Sequence, residues 1–247
     1  MVFFAIPKNE RKLNFRGVPE SAQQRRIAVV GNAFSNWWQR SYIETGDAGD
    51  YDIRFAGVAY EGIDDPVAAK AQSRQWYLSS PAADDALRAR FGATLALAEK
   101  DDLPTWLDTD RGQLALVILL DQLSRNLYRG TARAFSNDPR ALALAEGMID
   151  RGADRLMAPI ERAFLYHPFE HAESRAAQQR SVALFTDLVA GADSAWRPQL
   201  QDFLHHAQAH RDIVETYGRF PHRNQVLGRT DTAAERDYLA TAQRFGQ

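Results

Sequence analysis

Cysteine is absent from all 247 residues, so disulfides and thiolate metal sites are excluded, and the redox compartment stays open. Charge of one sign is lacking too. The 30 Lys and Arg against 32 acids leave a formal net charge of −2, which argues against a general nucleic-acid binder. No apolar run is long enough to span a membrane, and the opening Met1-Val2-Phe3-Phe4-Ala5-Ile6-Pro7 is too short for a signal peptide. These absences read as a cytoplasmic protein that meets neither nucleic acid nor membrane; they leave the oligomeric state open. Lysine disappears after Lys100, so every later fixed cation is arginine, whose planar fork suits bidentate carboxylate or phosphate contacts. All six histidines fall between 167 and 222.

What is present is helical pattern. Residues 1–73 are interrupted by glycines and read as an N-terminal segment, partly irregular. Within it Ile27-Ala28-Val29-Val30-Gly31 suits a short strand or a first helical turn, and the acidic stretch 44–65 reads as loop or linker. One glycine after a short apolar run does not make a nucleotide site, so no cofactor is assigned. From 74 to 247 the chain reads as one helical domain. Ser80-Pro81, Thr109-Asp110, Asp138-Pro139 and Pro159 are helix starts. The fourth helix is expected to end near His167, because Pro168 disfavours helix before it. A fifth runs from about 169 to 190 and a sixth from about 195 to 217, closed by Gly218; Thr232 with Glu235 boxes a last helix ending near Phe245. Leu114 to Leu120 is apolar all round and predicts burial on most sides. Short connections favour antiparallel neighbours, so the expected fold is all-α, a layered stack of antiparallel helix pairs.

Three polar stretches stand out against this pattern: 121–130, 161–173 and 217–229. Counting about 100° per residue puts His210 at the centre of an apolar face with Phe203, Ala207 and Val214, with His206 at its edge. The same count carries Ser181, Gln178, Ser174 and His171 along one inward face, with Glu170 at its edge. Asp121 follows seven apolar residues, with Arg125 one turn on.

Four chemistries suit these residues. Arg125, Arg129, Arg219 and Arg223, with Asp121, Asn126, His171, His222 and Asn224, would grip a small anion. Glu161, Glu170 and His210 are the candidates for acid–base work, with no obvious nucleophile. His206 and His210 at i, i+4 are the weak metal candidates, with Glu170 or His171 as a third ligand, and no His-Glu-x-x-His motif supports them. A groove between stacked helices would instead take an acidic peptide.

The motifs Asp121-Gln-Leu-Ser-Arg-Asn-Leu-Tyr-Arg-Gly130, Ala134-Phe135, Glu161-Arg-Ala-Phe-Leu-Tyr-His-Pro-Phe-Glu-His171, Gln179 to Phe185, Gly218 to Asn224 and Leu227-Gly-Arg229 resemble the bacterial family called domain of unknown function 924. The resemblance covers roughly residues 74–247. It implies a tetratricopeptide-repeat-like α-α superhelix and supplies no activity. Ser124 stands where members usually carry proline, and His167 where they often carry leucine. The first reading is therefore a helical-repeat-like binding protein for an anionic small molecule or an acidic peptide. A hydrolase, with or without metal, and a purely structural polar network are the alternatives. Binding requires convergent, partly exposed arginines, whereas a structural network requires every inward polar group to be paired.

Overall fold

The computed structural model describes residues 81–241, the stretches 65–67 and 69–70, and three strands, β1 (Arg26–Ile27), β2 (Ser41–Thr45) and β3 (Tyr51–Phe55). The strands pair antiparallel in the order β1-β2-β3, with Ile43 opposite Ile53. The acidic segment read as a loop thus contains a strand at 51–55. There the alternation Tyr51-Asp52-Ile53-Arg54-Phe55 is a strand pattern that the surrounding acids and glycines obscure.

The helical body starts with α1 (Pro81–Ala98), in which Leu87, Phe91 and Leu95 are buried on one face. A short 3-10 turn at Pro104–Asp108 buries Trp106 and leads to Thr109, whose hydroxyl accepts the Gly112 N–H at 3.0 Å and caps α2 (Asp110–Ile118). Gly112 has to be glycine: a Cβ there would sit 2.3 Å from the Trp106 carbonyl oxygen. Leu114 through Leu120 are all buried, as the all-round apolar run requires. The helix then widens into a π-turn at Leu119–Leu123 before resuming as α3 (Ser124–Leu127). Such single π-turns are frequent where a helix carries a functional side chain.

Next come α4 (Asp138–Asp150), α5 (Pro159–His171), α6 (Arg175–Gly191), α7 (Arg197–Tyr217) and α8 (Ala233–Leu239). Helix α5 packs on α6, α6 on α7, and α7 back on α5, while α2 lies against α4 and α5. The helical body is all-α, with its helices packed on one another, and is compatible with the stacked-pair arrangement implied by the resemblance. Among the described residues no helix is long and apolar enough to cross a membrane. The expected end near Phe245 lies outside the described residues.

One boundary differs from expectation, and it matters for the site. Helix α5 does not stop before Pro168; it runs through it to His171. An interior proline costs about 3 kcal/mol. Phe164, Leu165, Tyr166 and Phe169 surround it fully buried, and their packing outweighs that cost. The break falls instead at Ala172–Ser174, where Ser174 becomes the cap of α6 and points to solvent rather than sharing the inward face. Gln178 closes the break from inside. Its Nε2 donates to the Glu170 carbonyl at 2.6 Å and the Ala172 carbonyl at 2.8 Å, with the Phe169 carbonyl at 3.4 Å. Gln178→Leu removes the side-chain donor of the Glu170 and Ala172 carbonyls, while the Phe169 carbonyl keeps the Ala172 N–H at 3.3 Å. It is expected to cost about 2–3 kcal/mol in urea unfolding, whereas surface substitutions on the same helix stay within about 0.5 kcal/mol.

Candidate functional site

The continuation of α5 past Pro168 carries Glu170 and His171 inward on its last turn, toward the π-turn of α2 and the middle of α7. Gly218, at φ 72°, ends α7 in the left-handed conformation. It turns the chain into a 3-10 turn at Pro221–Arg223 that returns over the same place. Glu173 holds this loop: it accepts the Phe220 N–H at 2.8 Å and takes Arg229 bidentately at 2.6 and 2.9 Å.

These elements bring together one continuous polar cluster. Asp121, fully buried on the π-turn, accepts from Gln122 at 2.5 Å on Oδ2. Its Oδ1 meets Arg125 Nη1 at 2.9 Å and His171 Nδ1 at 2.7 Å. Arg125 reaches on through Nη2 to Asp138 Oδ2 at 2.9 Å, and the same oxygen accepts from Arg223 Nη1 at 3.2 Å. Arg223 is 5% exposed, with its guanidinium 4.5 Å from the Phe135 ring and 4.4 Å from the Phe220 ring. His210 Nδ1 lies 2.9 Å from the His206 carbonyl, to which it donates, and 3.2 Å from Glu170 Oε1. The His171 ring stacks on His167 at 5.8 Å and meets His210 edge-on at 6.1 Å. Among the described residues no hydrogen-bond partner reaches Arg223 Nε, Asp138 Oδ1, Glu170 Oε2 or Ser181 Oγ.

Burial sets the protonation states. It pushes Glu170 up to about 8, with the Asp121 charge adding and Arg125 opposing. It holds His167 to about 3 and His210 to about 4, and it drives His171 well below its ordinary value, with Arg125 and His210 adding. His222 sits at about 3 through burial and the Arg223 charge beside it. Burial, with Arg125 adding, brings Arg223 down to about 10, and burial pushes Asp138 upward against the two guanidiniums. At neutral pH Glu170 therefore keeps its proton and the histidines are neutral, beside the two guanidiniums.

Several sequence candidates lie elsewhere. Arg129 binds Asp84 at 2.8 Å, and Asn126 accepts from Arg129 rather than joining Asp121. Arg219 forks onto Glu235 at 2.6 and 2.8 Å and secures the cap of α8. Glu161, a catalytic candidate, is the N-terminal cap of α5: its carboxylate accepts the Ala158 N–H at 2.9 Å, 3.7 Å from Arg111. Asn224 is fully buried, but its amide donates to Asp231 at 2.7 Å and shapes the loop. His206 and His210 do not form a chelate, because His206 is exposed while His210 turns its Nδ1 inward. Among the described residues no group of three or more His, Asp or Glu could hold a metal ion. The partly exposed, convergent arginines that binding was expected to require are not found, since Arg125 and Arg223 are buried, and the full pairing expected of a structural network is not found either, since Arg223 Nε and Asp138 Oδ1 have no hydrogen-bond partner among the described residues.

Sequence reasoning missed Asp138, Glu173 and Phe135 as members of this assembly. Asp138 was legible only as a helix start. That an N-terminal helix carboxylate faces two arginines 13 and 85 residues away is a product of the tertiary fold.

The family profile described as "Bacterial protein of unknown function (DUF924)" matches residues 35–243, beginning upstream of Arg74, where the motifs first become legible. A solved protein of unknown function from Agrobacterium tumefaciens is 40% identical, with a TM-score of 0.61 over 73% of this chain and 98% of that one. No curated protein matches the chain. With the profile spanning most of its length, the chain belongs to the bacterial DUF924 family.

Proposed function

We propose that the protein binds a small anion at the Arg125–Arg223 pair. The observation carrying this reading is Arg223. Its guanidinium is buried against two rings, it shares a single Asp138 oxygen with Arg125, and its Nε has no partner among the described residues. A network kept for stability alone satisfies its buried donors, because each one left over costs about 1–3 kcal/mol. A guanidinium with donors in reserve suits a carboxylate or phosphate. The burial of both arginines favours a small molecule over an acidic peptide, which needs an exposed lining. The DUF924 membership supplies neither ligand nor reaction, so the reading rests on this geometry.

Thermal unfolding with inorganic phosphate, sulfate or acetate, against chloride at equal ionic strength, tests the reading. At 100 times Kd a ligand stabilises by about 2.7 kcal/mol, which raises Tm by roughly 5–10 °C for a chain of this size. The rise is expected for an oxyanion and not for chloride. It is expected to vanish in Arg223→Met when each protein is compared with its own anion-free midpoint. A rise of equal size in Arg223→Met, or none with any oxyanion, would leave the cluster as an internal network.

A further inference from the structure

We infer that a small anion enters this site together with one proton, and that His171 holds that proton on Nε2. The inference rests on the anion-site reading above and adds what else must bind.

Its basis is a charge count. Arg125 and Arg223 bring two positive charges, and Asp121 and Asp138 bring two negative ones, all joined by direct contacts. Glu170 on α5 is protonated at neutral pH, and the histidines facing the pair are neutral. The site therefore has no net positive charge to offer. An anion placed beside the guanidiniums leaves one negative charge uncompensated in a buried setting, which is strongly unfavourable. One proton restores the balance.

The geometry decides where it goes. Protonating Asp121 or Asp138 takes a counter-charge from Arg125, which meets each carboxylate at 2.9 Å. Glu170 already carries its proton. His222 lies beside Arg223, whose charge opposes a second cation. His210 already donates its Nδ1–H to the His206 carbonyl, and no acceptor among the described residues meets His167 Nδ1. His171 differs from all of them. Its Nδ1 faces the Asp121 carboxylate at 2.7 Å, so an imidazolium formed there has a counter-ion in place. In the neutral ring that contact keeps the Nδ1 proton and leaves Nε2 as the basic nitrogen. What opposes the charge is burial, followed by Arg125, His210, Arg223 and His222. An anion on the two guanidiniums cancels their share of that opposition. The proton comes from the buffer acid: its N–H bond breaks as the Nε2–H bond of His171 forms, and the buffer base is released.

Isothermal titration calorimetry with methanesulfonate tests this, because it is a monoanion with no proton of its own to give at neutral pH. Titrations at pH 7 in Tris and in PIPES, which differ in ionisation heat, count the protons taken up. The expected result is close to one proton per methanesulfonate, with affinity rising about tenfold per pH unit as pH falls from 7 to 6, below the titration of Glu170. His171→Gln is expected to bind more weakly and to take up essentially no proton. Methanesulfonate binding with no uptake in the wild-type protein overturns this inference and leaves the anion site standing. Uptake that survives in His171→Gln and is lost in His222→Gln moves the proton to His222 and overturns the assignment. No methanesulfonate binding in any buffer defeats the anion site and the inference together.

Discussion

Asp138→Asn is expected to destabilise the protein by about 3–5 kcal/mol in urea unfolding, the usual cost of removing one partner from a buried ion pair. The substitution keeps the shape and an acceptor oxygen, so it isolates the charge. Asp138 Oδ2 is where Arg125 and Arg223 meet, and without its charge Arg125 is left with Asp121 in contact and Arg223 with the more distant charges of Glu173 and Asp121. The loss should be non-additive. Once Arg223→Met has removed the second guanidinium, Asp138→Asn has much less to disturb, so the double variant is expected to be more stable than the sum of the two single effects predicts. A cost below about 1 kcal/mol would mean that the pair does not organise the core. The same variant also bears on the charge count. Asp138→Asn turns a neutral cluster into one with a surplus positive charge, so the monoanion methanesulfonate should stabilise it at least as strongly as wild type, with no accompanying proton.

The helices were legible in the sequence because their signals are local. Thr109 and Thr232 cap where their spacing indicates, Gly218 ends α7, and the uninterrupted apolar run 114–120 is buried all round. Pro168 shows the limit. A local rule stops the helix there, while Phe164, Tyr166 and Phe169, buried by α6 and α7, carry it on. The helix-wheel count still brought Gln178, Ser181 and His210 inside, because each lies within one unbroken helix, and it failed at Ser174, which the true break turned outward. At the site the fold joins Asp121, Arg125, His171 and Arg223 through contacts at Asp121 and Asp138. Arg129 and Arg219 look the same in the sequence, yet the fold commits them to Asp84 and Glu235. Sequence spacing shows that an arginine is available; which carboxylate takes it depends on partners tens of residues away.

Acid lability is the second large effect expected, and it follows from the histidines. The unfolded chain protonates histidine near 6.5, whereas the folded protein keeps His210 neutral to about 4 and His167 and His222 to about 3. Between these limits the unfolded chain binds more protons, so stability rises with pH. The contribution of the neutral rings is fully present above pH 6.5 and is lost as pH falls toward 4. Each such group changes stability by about 1.4 kcal/mol per pH unit in its window, so three give roughly 4 kcal/mol per unit. Glu170 acts in the opposite direction: its proton is held to about 8 in the fold and to about 4.5 in the unfolded chain, so its burial costs more as pH rises through that interval. The sum is a loss on the order of 3 kcal/mol per pH unit below 6.5 and a shallower decline from 6.5 to 8, with maximal stability near pH 6.5. Thermal unfolding across pH 4.5–8.5 reads this curve directly. Glu170→Gln, which keeps the shape and removes the titration, should match wild type near pH 4.5 and exceed it by an amount that grows to on the order of 3 kcal/mol by pH 7. A flat profile between pH 5 and 6.5 would mean that the histidines are hydrated in the folded state, and a Glu170→Gln curve parallel to wild type would mean that Glu170 is ionised there.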